Sequence, residues 1–484
     1  MEKQQEPGIL IALTPIVFLI VFLSVNVIVF DDPLGGSNQM ILFFAATIAG
    51  IIAFRLKVPW TKIRDSITNS INTAMPSILI LLIIGALAGT WLVSGIVPLM
   101  IYYGLKIIHP PVFLFTALVV CCLVSIVTGS SWSTIATIGV ALVGIGKTLG
   151  IHEGLVAGAI ISGSYFGDKM SPMSDTTNLA SAVAGTDLFT HIRYMSITTT
   201  PSIIIAALIF LVIGFNSSYH LSDNNVELVL GSISNSFNLN PLLMLVPVIL
   251  IVIIIKKIPA LPALITGTLL GALAALVFQH NLIGQLNTEG ITQLKASYQV
   301  IMKSMFGDIS IPTDNATLNE LLSTSGMAGM LNTVWLILSA MVFGGAMEAA
   351  GLLTRISKSV IQFAHSTGSL VASTIATCIF FNLTASDQYI SIVVPGRMFS
   401  KTFRDRGLKP ELLSRTLEDA GTMTSVLVPW NTCGATQARV LGVSTLTYLP
   451  YCFFNIINPV MAVTIAYLGY KIRKTGKTTD TKTE

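Results

Sequence analysis

Residues 164–180 read SYFGDKMSPMSDTTNLA. Two aspartates, Asp168 and Asp175, and a lysine, Lys169, flank Pro172 here, and Thr176, Thr177 and Asn178 follow. Elsewhere the chain is oily. Of its 484 residues, 53% are hydrophobic and 10% are charged, with a mean hydropathy of +0.78. A soluble domain carries roughly 25% charged residues, so this chain cannot cover itself with polar side chains and suits lipid. Apolar runs of the roughly 17–25 residues that span a bilayer core recur along it. They lie at 9–30, 39–54, 76–97, 195–215, 241–255, 260–279, 331–353 and 446–470. The chain reads as an all-α polytopic membrane protein, multi-pass, with the lipid bilayer as its first partner.

The apolar run from Ile9 to Phe30 is too long for the core of a secretory signal, and no small-residue cleavage site follows it. It reads as the first spanning helix. Cys121, Cys122, Cys378, Cys433 and Cys452 sit in or beside apolar runs without metal-ligand spacing, and read as small hydrophobes. The net charge of +4 singles out no partner. No nucleic-acid partner and no cofactor are expected, and a homodimer stays open.

Between the continuous spans lie interrupted apolar regions, at 111–146, 154–184, 368–399 and 411–440. Backbone leaves the helix at membrane depth only where protein or a wet cavity satisfies its N–H and C=O groups. The interruptions pair up. Thr128-Gly129-Ser130-Ser131 matches Thr384-Ala385-Ser386-Asp387 at a spacing of 256, and Gly89 and Gly95 match Gly345 and Gly351 likewise. Pro172 matches Pro429, and Leu155 matches Leu412, at 257. The first helices align at a shorter spacing, TPIVFLIVFL at 14–23 with VPVILIVIII at 246–255, which places an extracytoplasmic insertion near 280–330.

This pattern predicts two repeats, 1–230 and 231–484. Each has five crossing helices, a re-entrant hairpin tipped by the Thr-Ser stretch, and a helix broken at the proline. Five is odd, so the repeats must be inverted: ten crossings plus two hairpins. The positive charges agree. One set of loops holds Lys3, Arg55, Lys57, Lys62, Arg64, Arg193, Lys256, Lys257, Arg355, Lys358, Lys401, Arg404, Arg406 and Lys409, and the tail adds Lys471, Arg473, Lys474, Lys477 and Lys482. The opposite set holds Lys106, Lys147, Lys295, Lys303 and Arg439, and the loop 216–240 has no Lys or Arg. Both termini are therefore expected in the cytoplasm. Inverted repeats with broken helices are the architecture of secondary transporters.

An ionisable residue at the bilayer centre costs about 2.5–3.5 kcal/mol on insertion scales and is a functional hypothesis by default. Pro172 removes an N–H and clashes with the carbonyl four residues back, so the helix should break near Asp168–Ser171. Ser174 or Asp175 can then cap a new half-helix beginning with Thr176 and Thr177. Carboxylates, hydroxyls, the Asn178 amide and freed carbonyls make a cluster of hard oxygens suited to Na⁺, by the logic of other hard-cation sites. We expect Na⁺ at Asp168 and Asp175, with Ser171, Thr176, Thr177 and Asn178 beside them. Desolvation strengthens a carboxylate's hold on a proton as well, so one ion would expel the other. The hairpin tips offer Thr128, Ser130 and Ser131, and Thr384, Ser386 and Asp387. The second break offers Asn431 and Thr432. Lys169 is a candidate modulator that pairs with an aspartate when Na⁺ is absent. Glu418, Asp419 and Glu348 are candidate proton relays, Glu418 and Asp419 having Arg415 as an alternative ion-pair partner.

Several lookalikes fail. Ala141 stands where a P-loop before GKT needs its first glycine, and Val156 replaces the second histidine of a zinc-binding H-E-x-x-H. Tyr165 stands where the G-x-G-D stretch of intramembrane aspartyl proteases has its first glycine. A membrane-embedded enzyme therefore ranks last, and a channel does not need opposed halves.

GSYFGDKMSPMSDTTNLA closely resembles the signature of the NhaC family of Na⁺/H⁺ antiporters, part of the wider ion-transporter superfamily. The likeness extends through GALAGTWLVSGIVP and TGSSWSTIATIG and across most of the chain. It implies exchange of cytoplasmic Na⁺ for external H⁺ in a bacterial inner membrane, and carries the signature to Asp168, Lys169, Ser171, Pro172, Asp175, Thr176, Thr177 and Asn178. The family also includes exchangers that couple Na⁺ and H⁺ to malate and lactate, so small carboxylates remain the alternative cargo. No arginine pair lies at both breaks, which favours the cation.

Overall fold

The structure, a computed structural model, describes residues 7–30, 36–107, 109–216, 223–256, 258–286, 292–313, 319, 322–361 and 365–475. Lys3, Lys257, Lys477 and Lys482 of the charge pattern lie outside the described residues. The first half runs through α1 (Ile9–Val29), α2 (Ser37–Arg55), α3 (Trp60–Val93), α4 (Ile96–Ile107), α5 (Phe113–Thr128), α6 (Ser131–Thr134), α7 (Val140–Thr148), α8 (Glu153–Met170), α9 (Asp175–Ala184) and α10 (Leu188–Asn216). The second runs through α11 (Asp223–Ser236), α12 (Leu245–Ile255), α13 (Ala260–Phe278), α14 (His280–Gln285) and α15 (Gln293–Phe306), then a two-stranded antiparallel ribbon, β1 (Ile309–Ser310) with β2 (Ser323–Thr324). It closes with α16 (Leu331–Ala349), α17 (Leu352–Ile361), α18 (Thr367–Thr384), α19 (Gln388–Asp405), α20 (Pro410–Leu417), α21 (Met423–Ser425), α22 (Thr432–Leu441), α23 (Thr445–Tyr448) and α24 (Phe453–Tyr467).

The helix ends keep the spacing seen in the sequence. Up to the first arm of the hairpin the offset is 256: α4 starts at Ile96 and α17 at Leu352, α5 ends at Thr128 and α18 at Thr384. Beyond the tip it becomes 257: α9 spans Asp175–Ala184 and α22 spans Thr432–Leu441. The caps follow. Ser130 accepts the Ser133 N–H at 3.1 Å and Asp387 accepts the Ile390 N–H at 3.0 Å. Ser174 caps α9 and Asn431 caps α22. The tip alignment is therefore corrected by one residue, Asp387 answering Ser130 rather than Ser131. The breaks lie at 171–174 and 426–431, the first slightly beyond the stretch expected from Pro172 because α8 continues to Met170.

Among the described residues, seven helices are long and apolar enough to cross a membrane, or nine if each of two bent pairs counts as one span. Ten crossings were expected. The seven include Pro110–Thr128 and Thr367–Thr384, which lead into the Thr-Ser stretches; length and composition alone do not separate a re-entrant arm from a crossing. The stretch read as an insertion folds as α14, α15 and the ribbon, and lies on α3 where Gly85 and Gly89 leave room for the backbone of Gly326 and Ser304.

The elements that carry the tip and the break are held by close packing of α5 on α8. A Cβ at Gly167 would come within 2.5 Å of the Ser125 Cβ and 2.6 Å of the Cys122 carbonyl. Small residues at such positions let helices approach where lipid supplies no hydrophobic drive. Gly167→Ala should therefore destabilise the solubilised protein by about 1–3 kcal/mol. Gly231→Ala, where a methyl group meets nothing within 4 Å, should leave the thermal midpoint unchanged or raise it; similar losses for both would refute the packing argument.

Candidate ion-binding site

The two breaks and the two tips meet. Asp168, in the last turn of α8, is 7% exposed. Its Oδ2 accepts both the Ser131 hydroxyl at 2.7 Å and the Ser131 backbone N–H at 3.2 Å. The first hairpin tip thus grips the carboxylate. In the second half the same contact joins neutral groups: the Ser425 hydroxyl donates to Gln388 Oε1 at 3.1 Å, and both partners lie 257 residues after Asp168 and Ser131. The tip can come this close because Gly129, at φ +68°, turns against Met173, whose Cβ would lie 2.6 Å from any added methyl group. On the other side the Thr432 N–H donates to the Ser386 carbonyl at 2.9 Å.

A cavity of about 530 Å³ opens beside this junction. Thr128, Ser130, Asp168, Asp175, Thr176 and Asn178 line one side of it, and Gln388, Tyr389 and Thr432 the other. Asp175 is exposed at its wall, unlike Asp168, so only one of the two expected carboxylates is deep. The remaining predicted groups mostly brace the local backbone. Ser171 Oγ accepts the Met173 N–H at 3.2 Å, the Thr177 hydroxyl donates to the Lys169 carbonyl at 3.1 Å, and the Asn178 amide donates to the Ser174 carbonyl at 2.7 Å. Thr384 bonds back to the Phe380 carbonyl at 2.7 Å, and the Asn431 amide donates to Asn382. Ser386 Oγ and Asp387 Oδ2 are buried without a hydrogen-bond partner among the described residues. Glu348 is exposed at the end of α16 and does not line the cavity.

Behind Asp168 lies a second, fully buried group. The Lys169 ammonium donates to Asp419 Oδ1, not to Asp168 or Asp175 as the sequence suggested. Thr198 at 3.1 Å and Asn458 at 2.8 Å donate to the same oxygen, and Arg415 Nε lies 3.7 Å from the other. Glu418, the residue before Asp419, has no hydrogen bond to either carboxylate oxygen among the described residues. Lys169, Asp168, Thr422 and Thr176 are among its neighbours. Glu418–Thr422 forms a π-helical turn, the kind of irregularity that marks functional stretches of a helix.

Gln388 and Tyr389 were missed, although Tyr389 follows Trp132 of the first tip by 257 residues and the spacing leads to it. Thr198 lies in the polar run Thr198-Thr199-Thr200 before Pro201, and Asn458 follows Asn455 by one helical turn before Pro459, signals not drawn on above. The buried pair is testable through stability, because removing one partner of a buried ion pair costs about 3–5 kcal/mol. Asp419→Asn, which strands two cations, should lower the unfolding midpoint strongly, and adding Lys169→Met should recover part of the loss. A double variant as unstable as the sum of its parts would contradict the pairing.

The chain matches the model of the Na⁺/H⁺ antiporter family over residues 8–164 and 163–470. It is 33% identical to the Na⁺/H⁺ antiporter NhaC of Alkalihalophilus pseudofirmus, over 98% of each chain. It is 35% identical to the malate-2H⁺/Na⁺-lactate antiporter of Bacillus subtilis, over 94% of this chain and 93% of that one. Among solved structures, it resembles the YdaH transporter of Alcanivorax borkumensis with a TM-score of 0.41 at 12% identity, over 95% of this chain and 99% of that one. With its helices, cavity and buried charges in this arrangement, the chain belongs to the Na⁺/H⁺ antiporter family.

Proposed function

We propose that the protein is a secondary active transporter that exchanges cytoplasmic Na⁺ for external H⁺ by alternating access, the two ions competing at Asp168. One observation carries the reading: a buried carboxylate, held by a hairpin tip, on the wall of a cavity lined by hydroxyls and amides. The surrounding charges support it. Asp168, Glu418 and Asp419 are buried acids; Lys169 and Arg415 are buried bases. With Asp387, buried at the second tip, the acids outnumber the bases, and isolated buried charge is expensive. A bound Na⁺ or a proton would each offset part of this excess at Asp168.

The oxygens at the cavity wall fit a small hard cation: Asp168, with Thr128, Ser130 and Thr176 near it and Asp175 at the exposed rim, where it attracts cations. Recurrence of helix ends and caps at 256–257 residues supports two inverted repeats, each with a re-entrant hairpin and a broken helix. The clustering of Lys and Arg in alternate loops supports cytoplasmic termini in a bacterial inner membrane. A second reading, Na⁺- and H⁺-coupled exchange of small organic acids, is favoured by the name of the Bacillus subtilis relative. The buried cations that an organic acid would want are already committed to Asp419.

Proteoliposomes with an interior pH dye separate the two. Acidified vesicles should alkalinise on addition of Na⁺ alone, Asp168→Asn should abolish the response, and Asp175→Asn should weaken apparent Na⁺ affinity while leaving exchange measurable. A response that needs malate or lactate would favour the second reading. Full activity in Asp168→Asn would remove the site.

A further inference from the structure

Lys169 is the immediate neighbour of Asp168, and its ammonium is a built-in rival for any cation there. What keeps it away is Asp419. The position of Asp419 depends on the stretch that begins at α20, and that stretch is fastened from outside. The C-terminal segment 471–475 folds back onto the turn before α20. The Lys409 N–H donates to the Arg473 carbonyl at 3.1 Å, the Thr475 N–H donates to the Gly407 carbonyl at 2.8 Å, and Leu408 and Lys474 form an antiparallel bridge.

The side chains extend this fastening inward. Arg473 Nη1 donates to Glu411 Oε1 at 3.2 Å, in the first turn of α20. The Tyr194 hydroxyl donates to the Lys471 carbonyl at 2.9 Å. The Tyr194 ring lies between two guanidinium groups, with Arg473 Cζ 5.1 Å and Arg415 Cζ 4.6 Å from its centroid. Arg415 is fully buried and none of its guanidinium nitrogens has a hydrogen-bond partner among the described residues. Attraction to the ring face and to Asp419 therefore sets its place. A continuous series of contacts runs from Arg473 through Tyr194 and Arg415 to Asp419 and Lys169.

We propose that the C-terminal strap, through Arg473 and Tyr194, is a positioning element of the transport site. It holds α20 so that Asp419 keeps Lys169 parked and Asp168 free for Na⁺. The proposal rests on the cation-exchange reading above. Loosening the strap frees Asp419, lets Lys169 turn to Asp168, and makes the lysine compete with the incoming ion.

The test is Na⁺-dependent alkalinisation in proteoliposomes, read as KM for Na⁺ and Vmax separately. Arg473→Gln should raise KM about fivefold with Vmax within about twofold, the size typical of coupling through packed side chains. Arg473→Lys should recover most of the affinity. Glu411→Gln should act like Arg473→Gln, and the two together should cost no more than one. A chain ending at Thr475 keeps the strap and should match the full chain. An unchanged KM in Arg473→Gln overturns the proposal. So does loss of Vmax and thermal midpoint together at constant KM, which is the signature of a purely structural strap. Absence of Na⁺-driven exchange in the unmodified protein would instead strike the cation reading, a result distinguishable from either.

Discussion

A charged carboxylate cannot sit at membrane depth without donors or a counter-cation. Asp168 meets that constraint through Ser131, which supplies two donors to one oxygen, and the neighbouring Ser174 hydroxyl, while the lysine next in sequence is engaged elsewhere. The remaining demand for positive charge is what a transported cation can satisfy. The broken helix ends at the carboxylate, the tip reaches it through a glycine turn, and the adjacent Lys169 pairs with Asp419.

The two halves use one scaffold for different chemistry. Tip and break meet in both, with caps, helix ends and a side-chain contact at corresponding positions. In the first half the contact joins Ser131 to Asp168; in the second it joins Ser425 to Gln388, and no charge is involved. Lys169, Arg415, Glu418 and Asp419 gather behind Asp168. The second half thus contributes three of these charged groups, a buried acid at its own tip in Asp387, and cavity wall from Gln388, Tyr389 and Thr432.

Much of this was legible in the chain. Pro172 between charged residues foretold the break, because a proline in lipid announces itself by the backbone groups it frees. The paired Thr-Ser stretches lie where α5 and α18 end, and of the two caps considered for α9, Ser174 and Asp175, the structure uses Ser174; the matching cap at Asn431 had not been anticipated. The partner of Lys169 was not legible. Asp419 lies 250 residues away in sequence, and nothing local distinguishes it from Asp168 or Asp175 as an acceptor. Asp175 looked as deep as Asp168 because sequence spacing does not say which side of a break faces the cavity mouth. The crossing count cannot be read from helix length and composition, because short and bent segments share the composition of a full span. The strap was invisible because Arg473 belongs to a basic tail that reads, by charge alone, as a topology signal.

Mutual exclusion of Na⁺ and a proton at Asp168, as proposed, would show as proton release on ion binding, which is measured without transport. Purified protein in weakly buffered detergent solution, titrated with Na⁺, should release about one proton per ion bound, since a ligand must shed its proton before it coordinates a cation. The release should vanish in Asp168→Asn. Na⁺ binding without proton release, or release that persists in Asp168→Asn, would contradict the account.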